Sequence, residues 1–163
     1  MERKAIKLLV EWKNSLDRKP MVLKGARQVG KTWLMKEFGN KYYSNTIYCN
    51  FDEQEDIKSI FSSNKNPHRI VELLSFIYGQ KIVPGQSLII LDEIQECPDA
   101  LNCLKYFNEN ANEYHVIAAG SLLGTLLSKP KSYPVGKVNT LTINPLSFEE
   151  FLNTFDPDLY AYY

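Results

Sequence analysis

The sequence predicts an α/β protein built on a parallel, doubly wound sheet. Short apolar runs typical of strands alternate along the chain with longer segments whose apolar residues recur at helical spacing. Runs such as Leu88–Leu91 are apolar without interruption, which is typical of strands buried on both faces of a parallel sheet. With 163 residues, of which 44% are hydrophobic, the chain is long enough to bury one core of ordinary size.

The first predicted elements are a helix and a short strand. Residues 2–18 carry apolar residues at helical spacing, from Ile6 to Leu16, and Pro20 ends this helix. Met21–Leu23 is a short apolar run that leads into a glycine-containing segment, and we interpret it as the first strand.

The remaining elements are bounded by proline, by glycine or by a change in apolar periodicity. We predict, in order, helix Lys31–Phe38 ended by Gly39, strand Thr46–Phe51, helix 67–79 between Pro67 and Gly79, strand Ser87–Leu91, helix Pro98–Asn110, strand His115–Ala119, a short helix Leu122–Leu127 and strand Val138–Ile143. Ser147, with Glu150 three residues later, predicts a capping box at the start of a final helix.

The final predicted helix stops soon after it begins, and the chain ends on the aromatic residues Tyr160, Tyr162 and Tyr163. No linker or internal repeat divides the sequence, so we interpret it as one domain. A complete domain rarely ends on such a tail, and we therefore expect residues 1–163 to be a truncated part of a longer protein.

Charge is distributed unevenly, although the formal net charge is zero. Residues 1–41 contain 11 Lys or Arg and 4 Asp or Glu, a net charge of +7, whereas residues 42–113 contain 5 and 11, a net charge of −6. A basic segment of this kind attracts nucleic acid or a bound polyphosphate, or simply faces solvent. The zero overall charge gives no support for a dedicated nucleic-acid-binding domain, which is usually strongly basic.

Nothing in the sequence predicts a membrane protein or a secreted protein. The longest purely aliphatic run is Leu88–Leu91, far shorter than the ~18 residues of a membrane span. Charged residues interrupt the apolar positions near the N-terminus, which argues against a secretory signal. Cys49, Cys97 and Cys103 cannot all pair, and none has a second cysteine or histidine at metal-ligand spacing. We expect reduced thiols in a cytoplasmic protein.

One segment matches the phosphate-binding motif G-x-x-x-x-G-K-[ST] without departure. Its residues are Gly25, Ala26, Arg27, Gln28, Val29, Gly30, Lys31 and Thr32. The segment follows a predicted strand and opens a predicted helix, which is the context the motif requires. Glycines allow the backbone to wrap around a phosphate chain, and the N–H groups of the loop and of the helix N-terminus then face the anion. We call residues 25–32 the phosphate loop and expect it to bind a nucleotide.

Side chains in and beside the phosphate loop have expected roles. Lys31 places its ammonium group on the β- and γ-phosphates, and Thr32 offers its hydroxyl to Mg²⁺. Arg27 either reaches a phosphate or points to solvent. Trp33, directly after the loop, either stacks on the base or packs in the core, and its place in the first helical turn favours the core.

Two carboxylates follow the most apolar predicted strand. We expect Asp92 to orient Mg²⁺ and its water shell. Glu93 is then placed to polarise an attacking water as a general base. The adjacent pair favours hydrolysis over phosphoryl transfer to a second substrate. Buried strands often end in acids that face solvent, so the assignment depends on the phosphate loop upstream.

A third candidate follows the fourth predicted strand. Ser121 either contacts the γ-phosphate or the attacking water, or caps the short helix predicted from Leu122, and the two roles are compatible. His68 and His115 have no carboxylate or cysteine at ligand spacing, and we interpret both as structural.

With these motifs in place, the sequence resembles a family of bacterial and archaeal AAA-type ATPases. The resemblance lies in residues 25–32, in Leu-Asp-Glu-Ile-Gln at 91–95, in Ala-Gly-Ser at 119–121 and in Pro-Leu-Ser-Phe-Glu-Glu-Phe at 145–151. It implies a three-layer P-loop NTPase core, with a five-stranded parallel sheet in the order 5-1-4-3-2 and helices on both faces. It also implies ATP as the nucleotide, Ser121 as a polar sensor, and Gln95 close to the catalytic pair without an assigned role. Members of the family usually carry a C-terminal domain that looks related to nuclease folds, which residues 1–163 do not include.

The sequence departs from the pattern of that family in its arginines. Where the family shows Gly-Arg before the fifth strand, this chain has Gly136-Lys137, and lysine lacks the planar fork of arginine. The four arginines of the chain are at positions 3, 18, 27 and 69, and none lies where AAA-type proteins place the arginine finger or the second sensor. Because such a finger contributes about 10³–10⁵ in rate, we expect this chain alone to bind nucleotide and to hydrolyse it slowly.

Three functions remain open from the sequence. The leading hypothesis is a Mg²⁺-dependent ATPase module that drives or gates an attached domain, with ATP, that domain and further copies of the chain as partners. The second is a nucleotide-sensing switch or scaffold with negligible catalysis. The third is the motor of a nucleic-acid-handling protein, although the segment has no basic stripe interleaved with aromatic residues. Lys129, Lys131 and Lys137 form only a small basic loop, which we interpret as solvated surface.

Overall fold

A parallel sheet of five strands forms the centre of the molecule, for which a computed structural model describes residues 3–121 and 136–162. The strands are β1 Met21–Lys24, β2 Asn45–Asn50, β3 Ser87–Asp92, β4 His115–Gly120 and β5 Asn139–Thr142. They lie in the order β2-β3-β4-β1-β5, and every neighbouring pair is parallel. Counted from the opposite edge this is the order 5-1-4-3-2, so the predicted fold class and strand order are confirmed.

Helices cover both faces of the sheet. They are α1 Lys4–Asn14, α2 Lys31–Tyr42, α3 Glu55–Ser63, α4 Pro67–Tyr78, α5 Pro98–Asn110, α6 Phe148–Phe155 and α7 Pro157–Tyr160, with a 3₁₀ turn at Ile94–Glu96. One core packs α1 and α2 against one face, and the other core packs α3, α4 and α5 against the opposite face. Successive residues of β3 alternate between the two cores: Leu88 and Ile90 contribute to the first, Ile89 and Leu91 to the second. The uninterrupted apolar run of this strand is the consequence.

Helix α1 is shorter than the predicted 2–18. It ends at Asn14, and Ser15 is already extended, with φ −70° and ψ 137°. Leu16 lies beyond the helix and is fully exposed, so its place in the apolar periodicity does not reflect packing. The indole Nε1 of Trp12 donates a hydrogen bond of 2.6 Å to the Lys19 carbonyl, which ties α1 to the segment before β1.

Gly39 does not end helix α2, which continues to Tyr42. The residue is buried where the helix meets β2, and a Cβ at this position would lie 2.8 Å from Cγ2 of Thr46. Glycine is therefore a packing requirement at this helix–strand contact, not a stop signal.

Two further differences concern helices. Helix α3 was not predicted, although its buried residues Ile57, Ile60 and Phe61 recur at helical spacing. The helix predicted at Leu122–Leu127 lies outside the described residues.

The capping box at Ser147 and Glu150 is confirmed, with the Glu150 N–H donating to Ser147 Oγ at 3.2 Å and the Ser147 N–H donating to Glu150 Oε2 at 2.9 Å. Among the described residues, none of the helices has the length and apolar character needed to cross a membrane.

His115 is buried at the beginning of β4. It lies at the N-terminal end of the strands, whereas the phosphate loop follows the C-terminal end of β1. Its Nδ1 lies 2.7 Å from the hydroxyl of Tyr43, and its ring meets Trp12 edge-on. Burial, followed by the positive charges of Arg18 and Lys13, lowers the pKa of His115 to about 4. The imidazole is therefore neutral at neutral pH, in agreement with a structural role.

We expect this histidine to make stability depend on pH. Its folded pKa is below the ordinary value of 6.5, so the stabilisation is complete above pH 6.5 and is lost as the pH falls towards 4. Between pH 7 and pH 4 the free energy of unfolding should fall by about 2 kcal/mol more in the natural chain than in His115→Gln, after a discount for solvent screening. Urea unfolding at a series of pH values measures the difference. The exposed His68, in His68→Gln, serves as the control and should follow the natural chain; parallel curves for His115→Gln would contradict the expectation.

Candidate functional site

A cleft of about 700 Å³ opens at the edge of the sheet where the strands end. Its lining residues are Arg27, Gln28, Gly30, Lys31, Thr32, Trp33, Lys36, Asp52, Asp92, Glu93, Gln95, Glu96 and Ser121. The phosphate loop follows β1, the two carboxylates follow or end β3, and Ser121 follows β4, which lies between those two strands. Because the strands are parallel, their C-terminal ends meet at one edge, and the sheet brings the three predicted motifs together.

Close packing and left-handed backbone conformations fix the shape of the phosphate loop. A Cβ on Gly25 would lie 2.5 Å from the carbonyl oxygen of Ile143, so only glycine fits beside the end of β5. Gln28 and Gly30 have φ angles of 62° and 91°, in the left-handed region. Val29 is buried and packs in the core with α1 and α2. Ala26, Arg27 and Gln28 are exposed.

The N-terminus of helix α2 faces the cleft without a side-chain cap. Gly30 occupies the cap position and has no side chain that could cap the helix, and the first turn has no acidic residue. The first N–H groups of a helix have no partner within the helix, and the helix dipole favours negative charge there. This end of α2 is therefore suited to an anion.

Lys31 is folded over the phosphate loop. Its Nζ donates hydrogen bonds to the carbonyl oxygens of Gly25, at 2.8 Å, and Ala26, at 2.6 Å. The side chain is largely buried, and burial lowers the pKa of Lys31, while the negative charges of Glu93 and Asp92 oppose that change. An ammonium group has three donors, so one remains for a further acceptor in the cleft.

Asp92 is the buried carboxylate of the site, with 2% of its surface exposed. Its Oδ2 accepts hydrogen bonds of 2.6 Å from Thr32 Oγ1 and of 2.6 Å from the Tyr48 hydroxyl, and its Oδ1 accepts one of 2.9 Å from the Glu93 N–H. The carboxylate thus joins the first turn of α2 to β2. Since Thr32 donates its proton to Asp92, the lone pairs of the Thr32 hydroxyl remain for a cation.

Tyr48 belongs to the site although no motif of the sequence points to it. Burial, followed by its hydrogen bond to Asp92, raises the pKa of Tyr48, so the phenol stays protonated and acts as a donor. The Nζ of Lys36 lies 4.1 Å from the centre of its ring. In the sequence, Tyr48 is one aromatic residue of a strand, and only the pairing of β2 with β3 brings it close to Asp92.

Glu93 follows Asp92 in a left-handed conformation with φ 52°. Its Oε2 accepts a hydrogen bond of 2.5 Å from Gln95 Nε2. Gln95 Oε1 and Ser121 Oγ are buried at the cleft with no hydrogen-bond partner among the described residues. Buried polar atoms without partners are rare. The two atoms therefore fit a cleft whose polar ligand supplies the missing bonds.

The other sequence candidates have mixed environments. Arg27 is exposed and lines the cleft. Trp33 lines the cleft and also packs, half-buried, against the core of α1 and α2. Lys137 precedes β5, at the N-terminal end of the strands and away from the cleft. Its Nζ lies 3.1 Å from Glu109 Oε1. Lys129 and Lys131 lie outside the described residues.

Comparisons with known proteins agree with this architecture. A family model described as an AAA domain matches residues 17–152. The chain is similar to a Walker-type ATPase of Pyrococcus abyssi, with 18% identity and a TM-score of 0.62 over 97% of this chain and 58% of that one. It is also similar to the Orc1 protein of Aeropyrum pernix, solved in complex with DNA, with 15% identity and a TM-score of 0.54 over 93% of this chain and 47% of that one. No curated protein matches the sequence.

At these identities the likeness to the two solved structures concerns the fold alone. The chain spans 58% of the length of the Pyrococcus protein and 47% of the length of the Aeropyrum protein.

Removal of the Tyr48 hydroxyl should destabilise the fold through Asp92. Hydrogen bonds to a buried charge contribute more than neutral ones, so Tyr48→Phe should lower the free energy of unfolding by about 2 kcal/mol. Urea unfolding at pH 7 measures the loss. Tyr42→Phe, which removes a more exposed phenol from the end of α2, is the matched control and should change stability by less than about 0.5 kcal/mol. Equal effects of the two substitutions would contradict this account of Asp92.

Proposed function

Since the chain belongs to the AAA domain family, we propose that it is the ATP-binding and ATP-hydrolysing core of an AAA-type ATPase. The observation that carries the proposal is the 2.6 Å hydrogen bond from Thr32 Oγ1 to Asp92 Oδ2, which joins the phosphate loop to the acidic end of β3. Residues 1–163 would then be one part of a longer protein whose further domain, related to nucleases in the resembling family, receives the effect of ATP.

The phosphate loop would hold the phosphate chain of ATP. Its backbone, from Gly25 to Gly30, and the uncapped first turn of α2 supply N–H donors, and Lys31 supplies the positive charge. Lys31 would turn its third donor towards a phosphate oxygen or exchange its two carbonyl partners for phosphate oxygens. Arg27 and Trp33 line the same cleft and are available to the triphosphate and the base.

Thr32 and Asp92 would hold Mg²⁺. Mg²⁺ keeps several waters and is usually bound through one or two carboxylates together with substrate phosphates. The described part of the chain has no group of three His, Cys, Asp or Glu residues that could hold a metal by itself, which agrees with a site that the nucleotide completes. When bound, Mg²⁺ neutralises negative charge on the β- and γ-phosphates.

Glu93 would act as the general base for hydrolysis. Its carboxylate lines the cleft and is held by Gln95, and it would accept a proton from the water that attacks the γ-phosphate. Gln95 Oε1 and Ser121 Oγ, the two buried cleft atoms without partners among the described residues, would bind that water and a γ-phosphate oxygen.

Slow turnover follows from where the arginines lie. Arg3 and Arg18 donate hydrogen bonds to backbone carbonyls, Arg69 pairs with Glu72 at 3.0 Å, and Arg27 lies at the cleft. With Arg27 as the one arginine at the cleft in the described part of the chain, the charge that develops in the transition state would lack the additional contact that an arginine finger supplies. The same observation favours the alternative, a nucleotide-sensing switch or scaffold with negligible catalysis. A nucleic-acid motor has no comparable support in the described residues.

Calorimetry tests the binding of Mg-ATP. We expect Lys31→Ala to raise the Kd of Mg-ATP at least about 100-fold, because it removes a charge-assisted contact to phosphate. Lys41→Ala, in the same helix but paired with Glu37 on its surface, is the control and should bind like the natural chain. Absence of binding by the natural chain, or equal binding by Lys31→Ala, would refute a nucleotide site at this loop.

Turnover separates the ATPase from the switch. The isolated chain should hydrolyse Mg-ATP at about 10⁻³ s⁻¹ or more slowly, which is roughly 10³-fold below the lower end of typical kcat values. Glu93→Gln should abolish that residual rate and keep the Kd within about threefold, because the amide cannot accept the proton. Release of labelled phosphate in single-turnover assays measures both. A rate near 1 s⁻¹, or an undiminished rate in Glu93→Gln, would contradict these assignments.

A further inference from the structure

The guanidinium group of Arg3 is buried behind the phosphate loop. Only 5% of the residue is exposed. Its Nη1 donates a hydrogen bond of 3.1 Å to the carbonyl of Val29, and its Nη2 donates one of 2.7 Å to the carbonyl of Asn144, after β5. Its Nε lies 3.4 Å from Glu150 Oε1. One side chain therefore contacts the loop, the segment after β5 and helix α6.

Glu150 lies on the other side of this guanidinium, as an ion pair without a hydrogen bond to Arg3 Nε. Besides its role in the capping box of α6, its Oε1 accepts a hydrogen bond of 3.0 Å from the Lys4 N–H at the start of α1. Burial acts to raise the pKa of Glu150, but the hydrogen bonds from Ser147 and Lys4 and the charge of Arg3 hold it below the ordinary value. The carboxylate is ionised at neutral pH, and Arg3 has a permanent partner.

The contact with Val29 fixes a peptide unit at the centre of the loop. In a trans peptide the C=O and the following N–H point in opposite directions, and the described chain has no cis peptide. With the Val29 carbonyl turned towards Arg3, the N–H of Gly30 must face the other way, away from the guanidinium. A Cβ on Gly30 would lie 3.4 Å from Arg3 Nη1, so the arginine also packs closely against this residue.

We propose that Arg3 is a positioning residue for phosphate binding, because it holds the Val29–Gly30 peptide in the orientation that presents its N–H to the anion. The inference rests on the proposed binding of ATP at the phosphate loop. The role requires the arginine fork, since two donors reach carbonyls of different segments while a third nitrogen faces Glu150. The single ammonium of lysine cannot reproduce that geometry.

Arg3→Lys tests the proposal against the neighbouring Lys4→Met. Arg3→Lys keeps the positive charge and loses the fork, and we expect it to raise the Kd of Mg-ATP about 10-fold. Lys4, the residue after Arg3, forms an exposed ion pair with Glu149 of α6. Lys4→Met removes that pair and should keep the Kd within twofold. Calorimetry gives the Kd, and circular dichroism at the same temperature verifies that each variant is folded. A purely structural role for Arg3 would lower the unfolding temperature and leave the Kd of the folded variant unchanged.

A second variant decides the matter if Arg3→Lys does not fold. Glu150→Gln keeps an amide oxygen for the Lys4 N–H, loses the acceptor of the Ser147 N–H in the capping box, and removes the charge that faces Arg3. In its folded form this variant should raise the Kd about threefold. An unchanged Kd in the folded variants overturns the role of Arg3. Failure of the natural chain itself to bind Mg-ATP overturns the proposed function instead, so the two failures are distinguishable.

Discussion

The arrangement of the site depends on one buried negative charge. A carboxylate with almost no solvent contact is costly unless donors surround it. Asp92 meets this requirement with two hydroxyl groups and a backbone N–H, which come from α2, β2 and the residue that follows it. Each of these donors is thereby held in place, so the same constraint orients Thr32 at the loop, Tyr48 on the edge strand and the turn that carries Glu93.

The uneven charge of the sequence has an internal explanation in this structure. Several basic residues of the strongly positive first 41 positions are engaged within the protein. Lys13, Arg18 and Lys19 donate hydrogen bonds to backbone carbonyls far away in the chain, and Lys31 donates to the phosphate loop. Structural contacts within the protein therefore account for part of this basic character.

The features that could be predicted from the sequence are those with short-range signals. The alternation of strands and helices, the loop motif and the capping box each occupy a few consecutive residues, and the family resemblance supplied the strand order. Gly39, Tyr48 and Arg3 could not be assigned in this way, because their roles depend on distant partners. Tyr48 meets Asp92 across 44 positions, and Arg3 meets Asn144 across 141. The roles of Lys31, Glu93 and Ser121 in binding and hydrolysis stay predictions, although the sheet brings all three to one cleft.

The buried guanidinium of Arg3 also has a thermodynamic consequence. It is shared by the phosphate loop and, through Glu150, by the N-terminus of α6. Coupling between two such segments is reciprocal. If docking of α6 raises the affinity of the loop for an anion by some factor, binding of the anion raises the equilibrium constant for docking of α6 by the same factor. Helix α6 bears the exposed rings of Phe151 and Phe155. Binding of an anion at the loop would thus stabilise the docked position of α6 and of its exposed aromatic rings. A structure that packs on those rings would then bind more tightly when the loop is occupied.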